Sequence, residues 1–452
     1  MQKIDGYRCL PVEDQKYEDS AKRFGDAIRS FDKSNIFARI IRTSLEICTK
    51  CGACVNECPI YLASGKETIY NPVFRTNLIR HVIKNSSHRN ARLRFHRGPS
   101  LSGEDLKATA ESVYRCTLCR RCAEFCTFKV DNALINRQMR VLLADQFGIA
   151  PRELAEDGAQ KQLATGAATG MTEAAFLDIV QFMEKDIQER KGKAVPFPVN
   201  RKGAEILVMH NAGDYLSFME DVEGIAEVLD AAGADWTLNT KFNDVVNYGL
   251  FFSDQNLSKI MKRHLQVAEE LGVKTLVVGE CGHAYKALKI FAKLHYPSGQ
   301  VPFQIKSILQ VTDELLQNGK IHLNRDMNPQ PVTYHDSCNL GRMGGLYEEP
   351  RRILRASCRD FREMHPNREL NYCCGGGSGF AVMTHGNFME WRMKVAGRMK
   401  IEQIRATKAN AVISACSNCK AQLRELLQYH GLTGFGVVSS GVHELVAKAL
   451  ME

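Results

Sequence analysis

The 452-residue chain is 44% hydrophobic and 25% charged, an ordinary globular composition, and its length asks for about three domains rather than one core. No run approaches 18 apolar residues and the N-terminus Met1-Gln2-Lys3-Ile4-Asp5-Gly6-Tyr7-Arg8 lacks an apolar signal core, so a membrane span and a secretory leader are not expected and the reading is cytoplasmic. Sixteen cysteines, thirteen of them clustered in motifs, do not fit a small disulfide scaffold; in a reducing compartment they read as metal ligands.

Residues 1–40 mix charge with sparse apolar positions, and Asp19-Ser20 predicts an amphipathic helix ending near Phe31. This segment reads as an N-terminal arm, with Cys9 a bystander thiol. The first dense motif is Cys48-x2-Cys51-x2-Cys54-x3-Cys58-Pro59; the second is Cys116-x2-Cys119-x2-Cys122-x3-Cys126, with Thr127 in place of the proline. Spacings of two and two let three thiolates cap one face of a cubane 4Fe-4S cluster, while the fourth points to the other cluster. One cubane is therefore assigned to Cys48, Cys51, Cys54 and Cys126, the other to Cys116, Cys119, Cys122 and Cys58. Zinc is the bland alternative, disfavoured by two matched four-cysteine runs. Two thiolate-bound cubanes bring the formal charge of +9 to about +5, so charge does not imply nucleic acid, and no recognition motif supports it.

The 57 residues from Pro59 to Arg115 separate the motifs too widely for a compact ferredoxin, and helices are expected over Arg75–Ile83 and Glu104–Tyr114. The arrangement, over residues 41–150, resembles the α-helical ferredoxin domain of succinate dehydrogenase iron–sulfur subunits and heterodisulfide reductase C-type subunits. Arg75, Arg80, Lys84, Arg89, Arg92, Arg94 and Arg97, with His81, His88 and His96, form a basic stretch that reads as a solvated face, or else as a dock for an acidic partner or anionic lipid. Residues 151–202 read as a connector, helical over Met171–Lys191 and extended through Pro196 and Pro198.

From Gly203 the chain pairs with itself. Residues 204–211 parallel 331–336, 247–250 parallel 371–374, Thr275–Cys281 parallels Ala411–Cys416, and a helix over Ile305–Leu316 parallels one over Ser439–Leu450. Four pairings in one order predict an internal duplication of an α/β half, 203–330 and 331–452. The first half has kept only Cys281, opposite Cys416.

The second half carries Cys338, the pair Cys373-Cys374 followed by Gly375-Gly376-Gly377, and Cys416-x2-Cys419. Adjacent cysteines before glycines make a poor disulfide and a good thiolate cradle. With no Lys-Ser/Thr following, the glycines are not a phosphate loop. Cys358 stands alone and reads as structural. The motif resembles the CCG domain of heterodisulfide reductase, glycolate oxidase iron–sulfur subunits and anaerobic glycerol-3-phosphate dehydrogenase C subunits, with a longer second gap ascribed to a longer helix between Gly379 and Arg405. A helical ferredoxin module ahead of duplicated CCG repeats resembles the D-type subunit of heterodisulfide reductase. Cys281-Gly282-His283-Ala284 further resembles the degenerate first repeat of the sulfate-reducer membrane complex linked to dissimilatory sulfite reductase.

The fold implied is an α-helical ferredoxin domain plus a duplicated α/β CCG (cysteine-rich) domain. The resemblance implies one noncubane 4Fe-4S cluster on Cys338, Cys373, Cys374, Cys416 and Cys419 that cleaves a disulfide or trisulfide, on a thiol substrate or small carrier protein. Pseudo-two-fold placement puts Cys281 and His283 opposite it, Cys281 to form a mixed disulfide or supply a further ligand and His283 to donate a proton. His335, Asp336 and Arg342 are expected to tune the cluster, hold an anionic substrate or cap the loop. Implied partners are a membrane haem-b or quinone-reactive subunit, or a soluble redox protein, on the cytoplasmic face of the membrane. Two other readings stand: the electron-accepting subunit of a flavin-dependent hydroxyacid dehydrogenase complex, with the flavin in another chain, and a pure electron relay.

Overall fold

In the computed structural model, which describes residues 10–35, 37–87, 101–296 and 298–451, the chain divides into two units. The first comprises Met1–Ala155 together with Phe251–Gln255 and Gly375–Met399. Its main helices are α1 (Asp14–Ser34), α2 (Ala38–Ile47), α3 (Pro72–Ser87), α4 (Gly103–Tyr114) and α5 (Asn132–Phe147). Helix α1 buries Tyr17, Phe24 and Ile28, and Phe24 stacks on Phe147 at 5.7 Å, so the expected arm packs on the helices that follow it. It starts before Asp19-Ser20 because Ser20 Oγ donates back to the Lys16 carbonyl (2.6 Å) instead of capping. The expected helices at 75–83 and 104–114 lie inside α3 and α4. Ser102 and Asp105 form a reciprocal capping box at the start of α4, and Asp131 accepts from Leu134 N (3.0 Å) at the start of α5.

The longer helix expected between Gly379 and Arg405 begins at Phe388 and is not uniform: it is α-helical over Phe388–Trp391, π-helical over Arg392–Ala396 and, after a turn at Gly397, α-helical again over Arg398–Thr407, while Phe380–Val382 is a separate short turn. Phe380, Phe388 and Trp391 meet edge-on or tilted at 4.9–5.7 Å, and this aromatic knot holds the segment in the first unit. Gly375 (φ +93°) turns the chain in, where a Cβ would stand 2.7 Å from Gly397 N. Its glycine is required by that backbone approach. Arg140 ties the three chain segments of the unit together, donating to Val113 O (2.7 Å), Cys116 O (2.5 Å), Phe251 O (3.4 Å) and the Ser378 hydroxyl.

In the second unit, after short helical turns that end at Thr165, comes α6 (Glu173–Lys191), the expected connector helix. Its Phe176, Val180, Met183 and Ile187 enter one core with Val208, Ile225, Leu229 and Trp236. Then follow β1 (Ile206–Met209), α7 (Met219–Ala231), β2 (Trp236–Thr237), α8 (Asp254–Leu271), β3 (Thr275–Val278), α9 (Gly282–His295), β4 (Gln304–Ser307) and α10 (Ile308–Gln317). The chain continues through β5 (Val332–Tyr334), α11 (Glu348–Ser357), β6 (Phe361–Arg362), α12 (Arg398–Thr407), β7 (Ala411–Ile413), α13 (Ser417–Tyr429), β8 (Val438–Ser440) and α14 (Val442–Ala449). Two four-stranded sheets result, ordered β2-β1-β3-β4 and β6-β5-β7-β8, with every pairing parallel. Buried runs such as Leu207-Val208-Met209 suit parallel strands covered on both faces. The helices expected from Ile305 and Ser439 begin later, because their first residues are edge strands β4 and β8 laid against β3 and β7.

The two sheet layers meet reciprocally: α7 packs on α14 and α10 on α11. A Cβ on Gly224 of α7 would collide with the His443 carbonyl of α14. Beneath these helices lies a buried ion cluster. Lys420 Nζ reaches Asp221 Oδ2 (2.5 Å), Glu280 Oε2 (3.2 Å) and Asp214 Oδ1 (3.6 Å), all four side chains nearly without solvent contact. Glu280 also accepts from His443 N (3.0 Å) and meets His443 Nδ1 (2.8 Å), while Ser417 Oγ donates to Asp214 Oδ2 (2.7 Å). Burial pushes up the carboxyls of Asp214, to about 6, and Asp221. Burial acts the same way on Glu280, but Lys420 and His443 outweigh it and hold that carboxyl at about 2.

Replacing Lys420 by Met should destabilise the second unit by about 3–5 kcal/mol, since three buried carboxylates lose their cation; denaturant unfolding monitored by near-ultraviolet circular dichroism measures it. His264, buried with Nε2 donating to Asp244 O (2.9 Å), has its pKa lowered by burial from 6.5 to about 4. Its contribution is intact above pH 6.5 and is lost as the pH falls toward 4, when the unfolded chain binds a proton that the folded one refuses. His264→Gln should flatten that acid limb of the stability–pH curve by up to about 3 kcal/mol.

Candidate iron–sulfur sites

The two cysteine runs of the first unit fold as turns leading into short helices, with Cys54, Cys58 and Cys119 buried and the other five exposed or half-buried. Cys48, which ends α2, and Cys51 lie beside Cys54, and all three share their electrostatic surroundings with Cys126. Cys58 instead meets the second run: it lines one cavity with Cys116, Cys119 and Cys122. The fourth cysteine of each run thus sits with the first three of the other. Burial pushes the Cys54 and Cys58 thiols up to about 11, so thiolates here need a metal to hold them. Donors already face the sulfurs, Val130 N to Cys126 Sγ (3.3 Å) and Asn132 Nδ2 to Cys54 Sγ (3.8 Å).

The cavity of Cys58, Cys116, Cys119 and Cys122 also takes in Arg75. Arg75 is 2% exposed, donates to Arg115 O (3.2 Å), lies over the Tyr70 ring, and leaves its Nε unpartnered. Its place on a solvated basic face is therefore corrected: it is a buried cation turned toward four thiols, which fits an anionic cluster. Arg80 is likewise tied inward, to Leu45 O (2.5 Å). His88, Arg89, Arg92, Arg94, His96 and Arg97 lie outside the described residues, as do Cys9 and the side chain of Lys84.

In the second unit β5 and β7 end side by side, so the loop after each carries cysteines to the same end of one sheet. Cys338, Cys373, Cys374, Cys416 and Cys419 are all buried. Cys374 and Cys419 lie Sγ to Sγ at 3.4 Å, and one ring nitrogen of His335 lies with these two sulfurs inside 4.8 Å. Cys416 is the N-cap of α13; contacts from Cys419, the Gly282 amide and the Ser337 hydroxyl outweigh burial and hold its thiol down at about 6. A buried set of soft donors with a helix N-terminus behind it fits an iron–sulfur cluster.

The first sheet layer reaches this site through Cys281-Gly282-His283. A Cβ on Gly282 would stand 2.9 Å from Ser337 Oγ and 3.4 Å from Cys416 Sγ, so only glycine permits the approach. Cys281 is wholly buried, and burial pushes its thiol well up, with Cys416 adding to the shift. Asn211 Nδ2 (3.9 Å) and His283 Nδ1 (3.6 Å) face its sulfur. His283 Nε2 accepts from Asn247 N (3.4 Å), which leaves the ring proton on Nδ1; burial holds its pKa at about 3, so the imidazole is neutral.

Asp336 and Arg342 are both bound by other groups of the chain. Arg351 grips the Asp336 carboxylate at 2.7 and 2.9 Å, and Arg342 donates to Glu369 O (2.7 Å). Cys358 is buried beside Ser357 (3.6 Å). Sequence reasoning passed over Asn371, Ser337, Lys400 and Asn211. Asn371, Ser337 and Asn211 each stand within two residues of a motif cysteine or histidine, but Lys400 carries no signal at all. It is fully buried, and desolvation lowers its pKa to about 7 against the pull of Asp336, Cys374 and Cys373.

Family models match the chain twice: a 4Fe-4S dicluster domain over residues 44–130 and a cysteine-rich CCG domain over 332–424. The chain thus carries a 4Fe-4S dicluster domain and a CCG domain. Among curated relatives, the Hdr-like menaquinol oxidoreductase iron-sulfur subunit 2 of Archaeoglobus fulgidus is 26% identical over 91% of this chain and 81% of its own. The D-type subunit of the dihydromethanophenazine:CoB–CoM heterodisulfide reductase of Methanosarcina barkeri is 25% identical over 93% and 97%. The EtfAB:quinone oxidoreductase of Syntrophomonas wolfei is 25% identical over 74% of this chain and 48% of its own. With these two domains and these relatives, the chain is an iron–sulfur oxidoreductase subunit similar to the D-type subunits of heterodisulfide reductase. Among the described residues no helix is long and apolar enough to cross a membrane.

With the fourth cysteines exchanged between runs, the double variant Cys58→Ser/Cys116→Ser should damage one cubane and leave the other with its native iron and spectrum. If both cubanes are damaged, each run holds its own cluster.

Proposed function

We propose that this chain passes electrons through two cubane clusters, on Cys48, Cys51, Cys54 and Cys126 and on Cys116, Cys119, Cys122 and Cys58, to a noncubane 4Fe-4S cluster on Cys338, Cys373, Cys374, Cys416 and Cys419. There a disulfide or trisulfide of a thiol substrate or carrier protein is reduced. One observation carries the reading: Gly282 brings the Cys281 turn of one α/β layer against Cys416 of the other, so a further buried thiol lies beside the cysteine-rich site. The matching strand orders and the reciprocal helix contacts support a duplicated α/β half, 203–330 and 331–452, behind the ferredoxin domain and connector (41–150 and 151–202).

When bound, the clusters supply single-electron steps and iron with affinity for sulfur. The overall reaction takes two electrons and two protons and turns RS–SR′ into RSH and R′SH. The chain's part is to hold the scissile bond beside Cys281, whose sulfur is oriented by Asn211 and His283 and is placed to accept one substrate sulfur in a mixed disulfide. The neutral His283 offers a proton at Nδ1. Burial of every group named here excludes water from the site.

The relatives named for menaquinol and methanophenazine oxidation favour a membrane haem-b or quinone-reactive subunit as electron donor, with this chain peripheral on the cytoplasmic face. A second reading, a relay between a flavoprotein and quinone whose CCG cluster meets no substrate, is favoured by the relative named EtfAB:quinone oxidoreductase.

Adding candidate thiols to anaerobic, oxidised protein should generate a paramagnetic signal from the cysteine-rich site, and Cys281→Ser should lower turnover more than tenfold with iron content unchanged. No new signal with any thiol, alongside normal cubane signals, supports the relay; unchanged turnover removes the role of Cys281.

A further inference from the structure

Among the side chains turned toward the cysteine-rich site, one has a hydrogen-bonding capacity that nothing around it uses. His335 is 1% exposed, at the end of β5, and its backbone N–H is tied to Ile413 O (2.8 Å). Its ring state follows from its neighbours. Asn371 Nδ2 donates to the Asp336 carbonyl (2.6 Å) and faces His335 Nδ1 at 3.3 Å, while Asn371 Oδ1 accepts from Lys400 Nζ (2.6 Å). The carbonyl has only lone pairs and the ammonium only protons, so the amide cannot be flipped. Nδ1 must then accept, and the proton of the neutral ring stands on Nε2.

Nε2 is buried and has no hydrogen-bond partner among the described residues. A buried donor without an acceptor is costly, and one ring nitrogen of His335 lies within 4.8 Å of Sγ of both Cys374 and Cys419. Lys400 makes the complementary point. It is fully buried, and its three partners, Asn371 Oδ1, Gln403 Oε1 (2.5 Å) and Met364 Sδ (3.5 Å), are all neutral. The proton donor lies beside Cys374 and Cys419, and the Lys400 charge is drawn by Asp336 and, after it, by Cys374 and Cys373.

We propose that His335 is a positioning residue that donates a hydrogen bond from Nε2 to sulfur of the noncubane site, held in the required tautomer by the relay Lys400–Asn371–His335. The inference rests on the reading that Cys338, Cys373, Cys374, Cys416 and Cys419 hold a cluster. A hydrogen bond to a cluster sulfur stabilises the more negative, reduced state and so raises the reduction potential.

The test is a redox titration of the anaerobic full chain and of His335→Leu, His335→Gln and Lys400→Met, with iron content measured on each and the thiol-generated signal as reporter. His335→Leu should keep its iron and lower the reduced-to-oxidised ratio of that site at fixed solution potential by roughly tenfold, about 59 mV for one electron. His335→Gln, which offers an amide N–H, should restore most of the change. Lys400→Met should shift the same way, and the cubane potentials should stay put. A His335→Leu protein with full iron and an unchanged potential overturns the proposal. If His335→Leu loses iron, an unshifted Lys400→Met overturns it and a shifted one supports it. Wild-type protein whose iron matches the cubanes alone overturns the cluster reading itself, and this proposal with it.

Discussion

One buried ammonium holds the second unit in the shape its site requires. Lys420 follows Cys419 directly, and its carboxylate partner Glu280 directly precedes Cys281. The ion cluster that closes the seam between the two sheet layers therefore also sets the spacing of the cysteine turns on either side of it. Ser417, next to Cys416, donates its hydroxyl to Asp214 and its backbone N–H to the Glu280 carbonyl (2.8 Å). An isolated charge in such a place would be prohibitive, and three carboxylates around one cation are tolerable only because two of them lean toward their neutral forms. A seam of hydrophobic residues would join the layers as firmly but would not fix one register between them.

From that register the rest of the site follows. Gly282 can lie against Cys416 because it has no side chain, and Cys281 then stands beside the cysteine-rich site with its sulfur fixed by Asn211 and His283. Helices α9 and α13 start at Cys281 and Cys416, so two N-termini favour negative charge in this part of the molecule. The first unit solves the same electrostatic problem differently. It places the buried guanidinium of Arg75 among Cys58, Cys116, Cys119 and Cys122, where thiolates alone would repel each other.

Much of this was legible in the residues. The x2-x2-x3 spacing and its crossed fourth cysteine are properties of short loops, and local geometry is what sequence spacing encodes best. The central strands of both sheet layers were readable because buried parallel strands appear as short apolar runs. What failed has a common cause. Arg75 belongs to a run of basic residues that looks solvated, and only tertiary contact turns it inward. Residues 380–405 have helical composition, and helix does form from Phe388, but its π-helical stretch at Arg392–Ala396, next to the packed Phe380, Phe388 and Trp391, is not readable from spacing. The starts of β4 and β8 look helical because an edge strand of three or four residues leaves too short a pattern to separate from the helix that follows. Lys400 is twenty-six residues from the nearest motif cysteine before it, and no local pattern could announce it.

The central claim is that the five cysteines of the second unit enclose iron, with the Cys281 turn against them. Anomalous diffraction from crystals of anaerobically purified protein, collected on both sides of the iron and zinc edges, tests it most directly. The account predicts iron signal bounded by Cys338, Cys373, Cys374, Cys416 and Cys419, with the Gly282 backbone in contact with Cys416 and the Cys281 sulfur facing the metal. Zinc signal at that position, or an iron-free pocket in protein whose other clusters are intact, would contradict it.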